Sequence, residues 1–510
     1  MTRRAIGWLA ISLALTYPST AGAAVVQDTA SIVPPVGRFA VARARIDSAV
    51  NNGLVSMTVA VAMNGRIIWA EGFGWADKER RIRASPHSMY GVGSISKSYT
   101  ATAMMTLVEK GLVQLDRPAN DYLGRGKIRG FAGDADKATV RLVLSHRAGL
   151  PRHHQEFYAD EGYGRPTMDE TIMRYGILVN PPGERYVYAN LDYGIADHII
   201  ERVSKRPYED FMVSDVFIPL GLTRTYVLVP PVIRPGTVVL YDQNGKIIPY
   251  FDFDQRGGGS TFSSMYDLVR FGMFHLKNRL PEQRHILADS TIDRMHSAQF
   301  KGGPGPAQDY AFAWNIDDDV FGYQVFSHSG GMPGGATNLR LVPAKNIVVA
   351  AASNTYPRDR LTFNIADDIL AALLPDYAAG LERRRASPPG VAPRPAFVPT
   401  PELVGTWTGQ VVTWQRTLPI RMVVKPDGDV HVTFDNQPEA LLNGVSYMNG
   451  DFNGRFTGSL SEPDIGRHPH VLILENLRLR NGKLCGTFMA SEVTGRGHYS
   501  LPSWVEMERK

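Results

Sequence analysis

Ser94-Ile95-Ser96-Lys97 opens the stretch that organises this chain, which continues as Ser98-Tyr99-Thr100-Ala101-Thr102-Ala103-Met104-Met105-Thr106-Leu107-Val108-Glu109-Lys110. Ala101, Met104, Met105, Leu107 and Val108 recur at helical spacing, and Gly111 stands where a helix stops. The pattern therefore predicts a helical run from Ser94 to Lys110. Residues three apart share a helix face, so the Ser94 hydroxyl and the Lys97 amine can meet. A serine hydroxyl is a weak nucleophile until a base takes its proton, and a partly desolvated lysine can be neutral enough to help. Alone, the tetrapeptide is common, and a capping serine beside a solvated lysine accounts for it equally well.

Strand signals flank this helix at a distance. Val55–Met63 and Ile67–Ala70 enclose Asn64-Gly65, the strongest short-range hairpin signal in the chain. Thr337–Leu341 and Asn346–Ala352 read as a second hairpin, followed by a helix near Leu361–Leu374. Residues 112–335 mix short helical segments with Gly/Pro-rich loops. Strands at both ends with helices between them predict an α+β domain, residues 24–378, whose terminal segments share one sheet. Residues 379–400 hold Arg383, Arg384, Arg385 and five prolines from Pro388 to Pro399, the composition of a semi-rigid linker. From 401 to 510 the pattern becomes all-β. Leu418–Val424 and Val430–Phe434 are joined by Pro426-Asp427-Gly428, and Val471–Leu479 and Leu484–Met489 by Asn481-Gly482, as in a sandwich or barrel.

The 510 residues are 44% hydrophobic and 21% charged, which excludes a disordered or fibrous chain and leaves room for two domains or more. Lysine plus arginine (55) exceeds aspartate plus glutamate (50) only slightly, and no polybasic block concentrates the surplus, so nucleic acid is not expected as a partner. The single Cys485 cannot form an internal disulfide. Arg3 and Arg4, the apolar run from Ala5 to about Tyr17, and Ala21-Gly22-Ala23 read as a signal peptide, residues 1–23, cleaved after Ala23. A periplasmic or secreted protein with no membrane span is the expectation; the oligomeric state is left open.

Two further clusters can carry chemistry. In Tyr188-Ala189-Asn190 a phenol can relay a proton if nearby cations lower its pKa, and an amide can orient a carbonyl; a core tyrosine reads the same way. In His328-Ser329-Gly330-Gly331, just before the Thr337 strand, glycines admit close backbone approach and a free N–H can complete an oxyanion hole. His153 and His154 near His146 lack a carboxylate at helical ligand spacing, so a solvated or substrate-cleft loop, and no metal or cofactor, is expected there. Ser94 also lacks the G-x-S-x-G elbow of α/β-hydrolases, because Gly93 immediately precedes it.

The order S-x-x-K, Y-x-N, H-x-G resembles the serine β-lactamase and penicillin-binding hydrolase family, in the branch of class C β-lactamases, DD-carboxypeptidases, D-aminopeptidases and esterases. Leu144-Ser145-His146-Arg147-Ala148-Gly149-Leu150-Pro151 and Gly257-Gly258-Gly259-Ser260-Thr261, running into Asp267-Leu268, fit the same pattern. The resemblance covers about residues 36–375. It implies an antiparallel sheet flanked by helices with a helical subdomain, and an acyl-enzyme hydrolase. Ser94 would be the nucleophile, Lys97 its activator, Tyr188 the general base and acid, and Asn190 a substrate-orienting residue. His328, Ser329 and Gly330 would line the substrate strand, with the Ser94 and Gly331 amides as oxyanion hole. Many family β-lactamases carry lysine at the place of His328; a neutral imidazole attracts a β-lactam carboxylate less than an ammonium does. Small peptides, amides or esters are the implied substrates. Val404-Gly405-Thr406-Trp407-Thr408-Gly409 resembles the G-x-W opening of lipocalin-like barrels, with Trp407 plugging one end.

Overall fold

The computed structural model describes residues 30–35, 37–230, 232–280, 282–300, 309–356, 360–387, 396–496 and 498–510. The expected signal peptide lies outside them. The hairpin expected at Asn64-Gly65 joins strands Ser56–Met63 and Arg66–Asp77, and both turn residues hold left-handed backbone, φ 51° and 75°. Ser56–Met63 also pairs antiparallel with Ile347–Ser353 near the other end of the lobe. The terminal segments thus share one sheet. Among the described residues it has eight strands, running from Asp309–Tyr310 through Val325–Met332, Gly335–Val342, Ile347–Ser353, Ser56–Met63 and Arg66–Asp77 to Ile82–Arg83.

Alternation along the central strands sends side chains to two buried layers. Val59, Val61, Val349 and Ala351 pack with Ile46, Ile365 and Ile369 from helices Ala40–Asn51 and Leu361–Leu373. Ala60, Ala62, Val348 and Ala350 face the opposite layer. There helix Met265–His275 packs so closely that a Cβ on Gly272 would lie 2.4 Å from Val348 Cγ1. Helix Ser96–Glu109 is buried from Ser96 to Leu107. Its threonines return their hydroxyls to the preceding turn, Thr100 to Ser96 O at 2.9 Å and Thr102 to Ser98 O at 2.8 Å, so no water is needed to satisfy them.

Residues 379–386 are not linker. Pro375–Ala386 is helix, with Arg384 and Arg385 bound at 2.6 Å to the buried carboxylates of Asp367 and Asp368. The arginine run that read as part of a semi-rigid linker is drawn to acids that the previous helix buries. Beyond it, antiparallel strands in the order Ala440–Leu441, Val430–Phe434, Thr417–Val424, Gly405–Val412, Tyr499–Arg509, Lys483–Glu492, His470–Arg480, Asp451–Phe456, Asn443–Met448 curl into a nearly closed barrel. Thr417–Val424 alternates exposed and buried as a barrel wall requires. Trp407 is buried and donates its indole N–H to Leu403 O at 2.8 Å.

The barrel is welded to the first lobe. Tyr499 and Ser500 pair with Gln155 and His154 of strand His154–Tyr158, which pairs in turn with Phe251–Phe253. The expected loop at His153-His154 is therefore ordered: His153 is fully buried with Nε2 2.6 Å from Asp254. Among the described residues no helix is long and apolar enough to cross a membrane.

Candidate active site

Ser94 does not sit in the long helix but in the tight 3-10 turn Gly93–Ile95 that feeds it. Gly93 holds φ +50°, and a Cβ there would lie 2.9 Å from Gly331 N. On the facing strand a Cβ on Gly330 would lie 1.8 Å from Val92 O and 3.1 Å from Ser94 N. Only glycine lets the turn and strand Val325–Met332 approach so closely. The approach brings the amides of Ser94 and Gly331, the expected oxyanion pair, into one wall of the cleft.

Lys97, one turn further, is fully buried and its Nζ donates three bonds: to Ser94 Oγ at 3.1 Å, Asn190 Oδ1 at 2.9 Å and Gly258 O at 2.8 Å. Burial pushes its pKa down to about 7, against the pull of Asp192. A lysine with that value is a usable base near neutral pH. Asn190 caps this arrangement from the first residue of helix Asn190–Ser204. The Tyr188 ring lies 4.8 Å from Lys97 Nζ, and the Ser94 hydroxyl opposes the effect of burial on its phenol. Burial raises the Tyr188 pKa, where nearby cations were expected to lower it. Tyr188 thus keeps its proton at neutral pH.

His328 departs furthest from expectation. It is 3% exposed, its Nε2 meets the Tyr310 hydroxyl at 3.0 Å and its Nδ1 meets Ser329 O at 2.8 Å. Burial, with Lys97 nearby, lowers its pKa to about 3. It is neutral and carries no charge to read a substrate with, and neither it nor Ser329 nor Gly330 is among the residues that line the cleft, which the strand enters at Gly331.

Beneath Lys97 and Tyr188 lies a buried layer that the motifs do not announce. His146 holds left-handed backbone, φ 57°, with Nδ1 2.7 Å from Asp192 Oδ2 and its ring 4.4 Å from that of Tyr188. Burial holds Asp192 well above the usual carboxylate range and His146 well below the usual imidazole value. Tyr193 and Tyr310 close the cluster, their rings 5.3 Å and 4.9 Å from His146. His146 fell within a stretch already singled out; Asp192, two residues beyond Asn190, carried a weak signal; Tyr310 carried none.

Ser94, Asn190, Gly258 and Gly331 open into a cleft of about 830 Å³. His154 and Glu156 line its far side, and Thr494, Gly495 and Arg496 reach in from the barrel.

The comparisons with known proteins agree with this geometry. Over 339 residues the chain is 27% identical to the unguisins hydrolase ungD' of Aspergillus campestris (strain IBT 28561). That alignment covers 61% of each protein, so the chain spans about three fifths of this relative's length. The octameric penicillin-binding protein homologue from Pyrococcus abyssi superposes with a TM-score of 0.56 at 22% identity, covering 90% of this chain and 99% of that one. The structure of SurE with D-Leu gives 0.60 at 19%, covering 91% and 99%. These two likenesses concern the fold, and they extend into the barrel. The model of the β-lactamase family matches residues 41–373, the whole span from the first helix through the Ser94 turn to the Leu361 helix. By that match, and with Ser94, Lys97, Tyr188, Asn190 and the Gly330-Gly331 strand meeting at one point, the chain belongs to the β-lactamase family.

Proposed function

We propose that this protein is an exported serine hydrolase that cleaves peptide or amide bonds through an acyl-enzyme on Ser94. The observation that carries the reading is the 3.1 Å bond between Ser94 Oγ and a buried Lys97 whose pKa is brought down to about 7. Neutral Lys97 takes the Ser94 proton as Oγ attacks the substrate carbonyl. The Ser94 and Gly331 amides hold the developing oxyanion. Tyr188, still a phenol, passes a proton to the leaving amine and is reprotonated from Lys97. The C–N bond breaks, and water repeats the sequence in reverse on the ester to release the acid. Asn190 keeps Lys97 oriented.

A cleft of about 830 Å³ is of a size for a short peptide. D-residue-containing or linearised cyclic peptides of the microcystin kind are the favoured substrates, in keeping with a relative named a hydrolase of unguisins and a neighbour solved with D-Leu. The neutral, buried His328 favours one second reading, an esterase acting on uncharged substrates, over an efficient β-lactamase. A fluorophosphonate probe and a fluorescent penicillin, followed by a screen of D- and L-aminoacyl amides, linear peptides, short esters and a chromogenic cephalosporin, test both. Absence of any Ser94 adduct would leave only a binding module that keeps the fold.

A further inference from the structure

Where the barrel meets the first lobe beside the cleft, three side chains from separate segments converge. Glu161 follows strand His154–Tyr158, His468 precedes strand His470–Arg480, and His498 precedes strand Tyr499–Arg509. One ligand atom from each lies within 4.8 Å of the other two. Glu161 Oε1 is 2.7 Å from His498 Nε2, and Glu161 Oε2 is 3.6 Å from His468 Nε2. The two imidazoles stack, centroids 3.7 Å apart.

Two of the facing ligand atoms, His468 Nε2 and Glu161 Oε2, are buried without a hydrogen-bond partner. Orphans of this kind are rare in folded proteins, and two facing one point call for a shared partner. The donor set is that of a divalent transition metal, two imidazoles and a carboxylate. Ligands 2.0–2.1 Å from a tetrahedral zinc stand ~3.3 Å from one another, a separation bracketed by the 2.7 and 3.6 Å found here. His498 also has a carboxylate behind it, Glu492 Oε2 at 3.7 Å from Nδ1. With the proton on Nδ1 facing Glu492, Nε2 is left with a lone pair for the metal, the usual carboxylate–histidine–metal order. Arg496 competes for Glu161 at 3.7 Å but also holds Asp160 at 3.2 Å, so it has a place to go.

We propose that Glu161, His468 and His498 form a binding site for one zinc-class divalent cation that pins the barrel to the first lobe. His498 lies two residues beyond the end of the Thr494–Arg496 segment that lines the cleft, and its carbonyl accepts the Glu156 N–H at 2.7 Å. A bound cation would therefore fix that wall of the cleft without touching Ser94.

The test uses the full chain, stripped with a chelator and titrated with Zn²⁺ by calorimetry and with Co²⁺ by visible absorption. One equivalent should bind with submicromolar affinity, Co²⁺ should develop visible ligand-field bands of low-coordinate character, and Zn²⁺ should raise the melting temperature. Glu161→Gln and His468→Ala should each weaken binding by ~100-fold or more, since even an outer partner of a ligand is worth 10–100-fold. His431→Ala, in the same barrel but paired with Glu439, should bind as the parent does. Ser94→Ala should bind metal normally, which separates this site from the hydrolase reading. No stoichiometric uptake by the parent chain overturns the proposal even if a variant fails to fold. So does unchanged affinity in a folded His468→Ala.

Discussion

Asp451 of the barrel accepts two parallel hydrogen bonds from Arg185 of the first lobe, at 2.6 and 2.7 Å. Arg185 stands three residues before Tyr188. The neighbouring Glu184 is held in the same way by Arg480, at 2.7 and 2.6 Å. The segment that delivers Tyr188 to Ser94 is thus clamped on two consecutive residues by a different lobe. Arg478 also reaches Asp451 at 2.6 Å, so the carboxylate serves two guanidiniums at once. Planar, bidentate pairs of this kind fix orientation as well as contributing energy.

Breaking the clamp should therefore reach the active site from a distance. Asp451→Asn removes the counter-charge of the partly buried Arg185 and leaves Arg478 only Glu184, at 3.6 Å, and a loss of about 1–3 kcal/mol of stability is expected. With Tyr188 less firmly held, kcat should fall several-fold while KM changes little. Chemical denaturation and steady-state kinetics on one preparation check both. A stability loss with kcat intact would show that the clamp joins the lobes without positioning Tyr188.

Ser94→Ala should abolish acylation by a fluorophosphonate and leave the melting temperature nearly unchanged, because Lys97 loses one bond but keeps those to Asn190 and Gly258. Turnover within tenfold of the parent would remove Ser94 from the nucleophile's role.

Tyr188→Phe removes the phenol hydroxyl and keeps the ring over Lys97. If the phenol relays a proton, kcat should drop by ~10²-fold or more, the usual scale of such help. An unchanged kcat would make Tyr188 a packing residue.

The depressed lysine sets the acid limb of the pH profile. Below about 7 Lys97 is protonated and cannot take the Ser94 proton; above it the neutral amine dominates. With an uncharged substrate, kcat/KM should rise about tenfold per pH unit on the acid side and level off above neutrality. A limb centred near the ordinary lysine value would mean that burial does not perturb Lys97 as the geometry requires. Lys97→Arg, which cannot deprotonate, should be inactive across the range.

His328 makes the opposite prediction. Its pKa of about 3 keeps it neutral throughout the working range. The ratio of kcat/KM for a carboxylate-bearing substrate over a neutral ester should stay flat between pH 7.5 and 6. A ratio climbing as pH falls would show imidazolium forming beside the substrate, and His328 would then have to leave the hydrogen bonds that bury it.

The sequence by itself determined whatever depends on spacing along one segment. Period-two and helical patterns, with Asn64-Gly65 and Gly111 as punctuation, fix the hairpins and the Ser96 helix, because side-chain direction in a strand or helix follows from residue number alone. S-x-x-K places Ser94 and Lys97 within reach for the same reason. The glycines Gly93 and Gly330 were legible as residues, but not the Cβ-free contact between them, which joins elements more than two hundred residues apart in the chain.

Tertiary structure alone decided the electrical state of the site. A pKa depends on which groups and how much water surround a side chain, and no local pattern specifies that. Lys97 falls and Tyr188 rises because burial strips water from both, in a cluster with His146, Asp192, Tyr193 and Tyr310 drawn from three segments of the chain. His328 is silenced by burial, with its Nε2 against Tyr310, which no motif marked. The arginines at 383–385 read as part of a semi-rigid linker until Asp367 and Asp368, buried by the preceding helix, claimed two of them. The barrel's part in the cleft depended on the same kind of long-range meeting. Arg496 and Thr494 arrive there only because strand Tyr499–Arg509 extends the sheet of His154–Tyr158, a pairing between residues some 345 apart that the chain's local chemistry could not announce.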